Sequence, residues 1–507
     1  MILLWLLACR RSDPAGEVEI VQPSPSCPFS RVVTVTLPEP AALRGTASDG
    51  EHERSFDRPE SLVHVIELPA LYADRTWTLE LVSVGDAGET AFDPVSFTTV
   101  GLHDAFPEVD VRVRIPERME PGLTLLPVTS VGVARYLAAF DDEGEVAWVF
   151  TAEVGRFLEV RIEGDRMFLH HDNEILLIDW MGRMYARWTS ELAPNAGIPI
   201  PVEGLHHELL RTEGETFLTM TQSAIETPRM PVAETSYGVI PRMAPTVVAA
   251  DALIEVTPVT GSVVGRWELL DILDPERIGF SSLKRVPLGV DWTHANAVEE
   301  DVGAHAWVVS ARHQDAVVSF DKATSEINWI AGNPANWREP WASALLTPVG
   351  DDFDWFWHQH AIKWRPEDGS LLLFDNGNFR SAPFTGIEPL DDDESWSRVA
   401  SYHLDLEART IERTWYFDVD PPLYSEAMGD ADWLPNGNVL ATYAFVSYED
   451  HVRNSDVGRL VPSIRVVEID PATNEVVWDL DLWADEDAEG GWQSFRSTRV
   501  PSFDIRE

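Results

Sequence analysis

Apolar and polar residues alternate in short runs along most of the chain, the period of two that marks half-buried strands. "VVTVTL" (32–37), "LVHVIEL" (62–68), "TWTLELVSV" (76–84) and "VSFTTV" (95–100) have this form, with Pro, Gly and Asp between them. Over residues 18–105 the pattern predicts a small N-terminal β-sandwich. From about residue 106 a slower rhythm is added: an acidic residue or turn, then a β-rich stretch ending in Trp. "DDEGEVAW" ends at Trp148, "DWMGRMYARW" at Trp188, "TPVTGSVVGRW" at Trp267, "DKATSEINW" at Trp329, "DLEARTIERTW" at Trp415 and "DPATNEVVW" at Trp478. Six copies, 40 to 86 residues apart, predict an all-β architecture over 106–507: a six-bladed β-propeller in which each Trp is buried between neighbouring sheets.

A second repeat carries chemistry. Four segments start on a polar residue, run to a Gly turn and return as an apolar strand. His207 precedes Gly214 by seven residues and Asp430 precedes Gly437 by seven, while His294 precedes Gly303 by nine and His360 precedes Gly369 by nine. A difference of two keeps side chains on one face of a strand. The strand that opens each propeller blade lines the central channel, so His207, His294, His360 and Asp430 are expected to converge at one channel end. The returning strands add Arg312 and His313 in "SARHQDAV" and Arg380 in "FDNGNFR".

Charge sharpens this picture. With 85 acidic against 38 basic residues the net charge is −47, which disfavours a nucleic-acid partner. A pocket of imidazole and guanidinium stands out against that background. Arg presents planar paired donors to carboxylate, phosphate or sulfate, and neutral His serves as nucleophile or base. The set therefore suits transfer or hydrolysis of an oxyanion group. A metal site is the competing use of several His, but the short His-x-x-x-His spacing is missing and a central Arg repels a cation; no metal and no cofactor are expected. In "DWFWHQHAIKW" (354–364) the two histidines alternate, so His358 shares a face with His360, and one of Trp355, Trp357 and Trp364 is a candidate platform for an aryl ring. Asn296 is expected to hold the tautomer of His294. "DNGN" (375–378) reads as a tight turn without a chemical role, and His170 and His171 read as structural.

The N-terminus, "MILLWLLACRRSDP", ends its apolar run in Leu6-Leu7-Ala8-Cys9, the form of a lipoprotein signal. Residues 1–17 are read as signal and tether with Cys9 the lipidated residue, which places the protein in the cell envelope or periplasm, anchored to membrane, with the outer membrane favoured because Arg10 follows Cys9. No other stretch approaches the ~18 apolar residues of a spanning helix.

The ordered set "DWTHANAV…SARHQDAVVSFD…INWIAG…WHQHAIKW…LLLFDNGNFR…WSRVASYHLDLEARTIERTW" resembles the bacterial arylsulfate sulfotransferases, strongly over 285–416 and by architecture over 105–500. The resemblance implies a six-bladed propeller behind a β-sandwich. It also implies a ping-pong reaction without PAPS, in which a phenolic sulfate passes its sulfuryl group to a histidine and then to an acceptor phenol. His294, His360 and Arg380 would bind and polarise the sulfate, with His207, Asn296, Arg312, His313, His358 and Tyr443 around the substrate. The family's nucleophilic histidine is expected in the last blade, whose "MGDADWLPNGNVLATYAF" contains none. His451, on the loop beyond, is the nearest candidate and His207 the other. The expected partners are an aryl sulfate donor, a phenolic acceptor and a second copy of the chain. The competing readings are a non-catalytic oxyanion-binding propeller and an aryl sulfate hydrolase.

Overall fold

The computed structural model describes residues 9–501 except 14, 87, 131–133, 153–154, 241, 486–487 and 489; residues 1–8 of the expected leader, and the side chain of Cys9, lie outside the described residues. The expected sandwich takes the form of one seven-stranded sheet over residues 9–98, built around two long paired strands, Arg31–Ser48 and Glu53–Leu68. Their pairing is irregular where Pro38-Glu39-Pro40 interrupts the ladder, because proline removes a backbone donor. Val33 and Val35 before the interruption and Leu43 and Ala47 after it share one buried core, together with Trp77, Leu79 and Leu81. The same core continues into Leu125, Leu137 and Trp148 of the next sheet, so the N-terminal sheet and the remainder are packed as one body.

Six further sheets follow, each largely a meander of consecutive antiparallel strands. Their innermost strands are, in chain order, β1 (Phe157–Glu163), β2 (His206–Arg211), β3 (Ala295–Asp301), β4 (His360–Arg365), β5 (Asp430–Trp433) and β6 (Thr498–Val500). β1 to β5 touch one another in order. The C-terminal β6 completes the first sheet by pairing with Leu123–Ser130, and Glu108–Arg114 pairs on the outer edge of the last sheet. Both chain ends of the ring are thereby locked by strands distant in sequence, and the architecture is a β-propeller.

The repeating tryptophans explain how the sheets stay in register. Trp148, Trp188, Trp329 and Trp478 are nearly or fully buried. Each indole lies at a sheet boundary, and five donate their N–H across it. Trp148 donates to Trp180 O at 2.8 Å, Trp188 to Pro258 O at 2.8 Å and Trp267 to Lys322 O at 2.8 Å. Trp415 donates to Asn474 Oδ1 at 2.6 Å, and Trp478 to Asp142 O at 3.0 Å. The last bond joins the sixth sheet to the first. A large apolar ring with one polar edge suits such a seam, because it fills space while satisfying a buried carbonyl.

β1 to β4 all share one local irregularity near their N-terminal ends. The pairing registers slip between Phe157 and Val160, His206 and Leu209, Ala295 and Ala297, and His360 and Lys363. Bulges re-aim side chains at the rim of a sheet. His207 and His294 carry positive φ, +56° and +47°, as does Ala361 at +49°. Non-glycine residues held there cost of order 1–3 kcal/mol and concentrate at functional sites.

Candidate functional site

The bulged ends of β2 to β4 open into a cavity of about 690 Å³. His206, His207, His294, His313 and His360 line it with Arg312. Phe379, Tyr424, Phe445 and Phe495 supply aromatic surface, and Asp172, Asp392 and Glu426 supply carboxylates. The ring centres run His207 to His294 at 5.1 Å, His294 to His313 at 4.8 Å and His294 to His360 at 6.4 Å.

The hydrogen bonds of each ring set its protonation. His360 Nδ1 lies 2.6 Å from Asn376 Oδ1. The amide group of Asn376 donates to Ser425 O at 2.7 Å and Met428 O at 2.8 Å, which fixes its oxygen toward the ring. Nδ1 therefore carries the proton and Nε2 keeps its lone pair. Burial, reinforced by the charge of Arg312, holds His360 well below the ordinary imidazole range, so the ring is neutral. His294 Nδ1 instead meets a carboxylate, Asp291 Oδ2, at 2.7 Å. Burial works against the Asp291 anion, but the charge and hydrogen bond of His294 outweigh it and keep the carboxyl below its usual value. The carboxylate partner thus fixes the His294 ring at the cavity wall.

His313 is spoken for at both nitrogens. Nδ1 donates to Asp291 O at 2.5 Å, and Nε2 accepts from Arg312 NH1 at 2.9 Å. With Arg312 NH2 also donating to Glu426 O at 2.9 Å, the guanidinium plane is fixed at the cavity wall. The turn Arg312–Gln314, closed by Asp315 in the left-handed region, projects both side chains there. Asp291, His294 and His313 place one ligand atom each within 4.8 Å of one another. A metal is nonetheless a poor fit, because the Nε2 lone pair of His313 is engaged by an arginine.

Several expected positions fall elsewhere. His358 is buried away from the cavity, with Nδ1 at 2.9 Å from Asp315 Oδ1 and Nε2 at 3.0 Å from Phe280 O. Asn296 is buried and donates to Gln359 O at 2.8 Å, so it ties two strand ends together rather than holding the His294 ring. Arg380 packs over Trp396 with its guanidinium 3.9 Å from the ring centre, donates to Trp396 O at 2.8 Å, and pairs with Asp375 at 3.4 Å; it does not line the cavity. Its turn points the side chain back toward the sheet, and Arg312 takes the place facing the histidines. Tyr443 is fully buried against Phe374 between two sheets. His451 is exposed and bonded to Asp393 O at 2.9 Å, outside the cavity. Trp355, Trp357 and Trp364 do not face it either; Trp364 donates to Asp301 at 2.9 Å.

Asp430 departs from its expected place as well. β5 pairs with Val439–Glu449 without a register slip, so the side chain remains inside the channel. There it accepts from Ser497 N at 3.2 Å, in a separate small cavity with Lys363 and Arg496. Arg496, paired with Glu159 and Glu208 and donating to Asn296 O at 2.8 Å, lies between this cavity and the histidines. Residues the sequence reading did not pick out are Asp291, three before His294, His206 beside His207, and Asn376. The DNGN segment, expected as a bare turn, holds both His360 and, through Asp375, the backbone of Trp357 at 2.8 Å.

The chain matches a family model described as Arylsulfotransferase (ASST) over residues 108–493. No curated protein matches it. Among solved structures it is similar to the dihydro-heme d1 dehydrogenase NirN in complex with DHE, at 11% identity over 77% of this chain and 80% of that one, with a TM-score of 0.30. It is also similar to an auxiliary nutrient binding protein from Bacteroides thetaiotaomicron, at 10% identity over 93% and 87%, with a TM-score of 0.30. Hsv2 of Kluyveromyces lactis follows at 8% identity over 84% and 95%, with a TM-score of 0.27. Likenesses so distant say nothing of the chemistry. The family match does, for it spans β1 to β5 and every cavity histidine. The chain belongs to the arylsulfotransferase family, whose members transfer sulfuryl groups from aryl sulfates.

Proposed function

We propose that the cavity transfers a sulfuryl group from a phenolic sulfate ester to an acceptor phenol, without PAPS, through a sulfo-histidine formed at His360 Nε2. The observation that carries the reading is the division of labour among the imidazoles. His360 is neutral with Nε2 unprotonated, and beside it stand His294, its Nδ1 on the Asp291 carboxylate, and the fixed guanidinium of Arg312. A nucleophile needs a lone pair, and sulfate oxygens need fixed positive charge as the S–O bond breaks. Asn376 sets the tautomer that makes His360 competent, much as the partner of a metal-bound or triad imidazole does. Phe379, Phe445 and Phe495 offer the aryl rings an apolar surface.

The test is turnover of 4-nitrophenyl sulfate with and without an added phenol, followed by intact-mass measurement of the protein quenched with donor alone. Acceptor-dependent nitrophenol release and a transient mass gain of one SO₃, absent in His360→Asn, are expected. Release independent of phenol assigns a hydrolase instead, and no release at all removes the enzymatic reading. The "LLAC" segment supports envelope anchoring through Cys9. Incorporation of labelled palmitate on expression in a Gram-negative host, lost in Cys9→Ser, checks it.

A further inference from the structure

Two groups, His206 in the cavity wall and Asp251 behind it, are not used by this reaction scheme. His206 Nδ1 lies 2.8 Å from His207 Nδ1, and His206 Nε2, which has no hydrogen-bond partner, stands 3.4 Å from Asp251 Oδ1, a few tenths of an ångström beyond a hydrogen bond. Asp251 is fully buried in the strand Met243–Val256 and is held by Gln222 Nε2 at 2.8 Å and Ala295 N at 2.7 Å. Its second contact is to the residue next to His294, so one carboxyl braces histidines from two sheets. Burying an isolated carboxyl in such a place is costly unless its charge state has a use.

We propose that Asp251, His206 and His207 form a relay that gives a proton to the departing phenolate and takes one back from the acceptor phenol. The proposal rests on the transferase reading above and adds the group that handles the phenolic proton. In the resting relay Asp251 is a carboxylic acid, His206 carries its proton on Nδ1 and donates it to His207 Nδ1, and His207 carries its proton on Nε2 toward the cavity. When Nε2 of His360 bonds to sulfur and the S–O bond breaks, the phenolate oxygen takes the Nε2 proton of His207. The Nδ1 proton of His206 moves to His207, and the carboxylic proton of Asp251 moves to His206 Nε2. Asp251 ends as the anion and the released phenol is neutral. The acceptor phenol runs the sequence in reverse as its oxygen attacks sulfur and the S–N bond breaks, so no proton is gained or lost over the cycle.

The surroundings agree with this proton inventory. Burial, with the nearby Asp291 charge, pushes Asp251 up to about 8, and burial lowers His206 to about 3. His207 is held well below the imidazole range by burial, then by the charges of His206, His294, His360 and Arg496. The other charged neighbours of His206 are His294, His170 and Asp291. At neutral pH the proton thus resides on the carboxyl, and the two imidazoles conduct without storing charge.

Proton donation matters in proportion to how poor the leaving group is. The experiment compares kcat/KM of wild type, Asp251→Asn and His206→Gln on phenyl sulfate, a poor leaving group, and on 4-nitrophenyl sulfate, a good one, with one acceptor in common. A loss of about 100-fold on phenyl sulfate against about 3-fold or less on 4-nitrophenyl sulfate is expected. The wild-type pH profile on phenyl sulfate should also lose its alkaline limb in both variants, which a purely structural brace would not produce. Equal losses on both donors, or none, overturn the relay. Should Asp251→Asn fail to fold, His206→Gln decides alone. Wild type inactive on both donors would instead remove the transferase reading.

Discussion

At the scale of single residues, hydrogen-bond partners separate histidines that the sequence presents alike. His358 and His360 alternate on one stretch, yet only His360 keeps a nitrogen for the cavity. His360→Asn is expected to lose at least about 1000-fold in kcat. Asn376→Ala, which frees the ring to change tautomer, is expected to lose about 10- to 100-fold in kcat with little change in KM. Steady-state kinetics on 4-nitrophenyl sulfate checks both. Arg380 makes the opposite case. Arg380→Ala removes the longer of the two ion pairs of Asp375, which keeps Arg398 at 2.9 Å, together with the packing on Trp396, and is expected to cost about 1 to 2 kcal/mol in urea unfolding. His451→Ala, on the exposed loop, is expected to leave activity within about 2-fold.

At the scale of strands, the tryptophan rhythm made the ring legible because each copy solves one packing problem, a seam between sheets. Trp478→Phe keeps most of the apolar volume but drops the N–H bond to Asp142 O, and is expected to lower stability by about 1 kcal/mol in thermal or urea unfolding. The turn-glycine spacing grouped His207, His294 and His360, which lie inside, just before and at the start of a register slip and line one cavity. It misplaced Asp430 because the sixth sheet has no bulge there, and bulges leave little mark in an alternating pattern. The motif resemblance put Arg380 on the sulfate and Arg312 only around it. Which one faces the cavity depends on the short turn at Arg312–Gln314 and on Asp375 capturing Arg380. Asp291, His206, Asn376 and Asp251 escaped notice for a related reason: their roles arise from contacts to neighbouring rings, to which residue spacing is blind.

At the scale of the molecule, the buried histidines set the acid limit of the fold. Burial lowers His170 to about 4 and His206 to about 3, and lowers His207, His313, His358 and His360 as well. Below about pH 6.5 the unfolded chain takes up protons that the folded chain refuses, so stability falls as pH falls. Asp251 and Asp430, both pushed up to about 8 by burial, act in the opposite sense, holding protons when folded and losing stability as pH rises from about 4 to 8. Asp141, Glu234, Glu299, Asp418 and Glu426, raised as well by burial, act with these two carboxyls, while Glu208 and Asp291, held low, act with the six histidines. Urea midpoints are expected to drop steeply below about pH 6.5, and His170→Gln is expected to flatten that drop by about 1.4 kcal/mol per pH unit between about 4 and 6.5.

The first sheet waits for residues Thr498–Val500, nearly four hundred positions after the strand Leu123–Ser130 with which they pair. During synthesis, and during any passage across a membrane as an extended chain, Leu123–Ser130 has an open edge, and Arg496 is not yet present to join Arg161 in balancing Glu159 and Glu208 beneath the histidines. A product cut short before this point keeps every imidazole of the cavity yet carries an unpaired strand and two buried carboxylates that share Arg161 alone. Quality control therefore has a built-in signal: incomplete chains display a sticky edge to proteases and chaperones, and the pocket acquires its floor only when the last strand has been made.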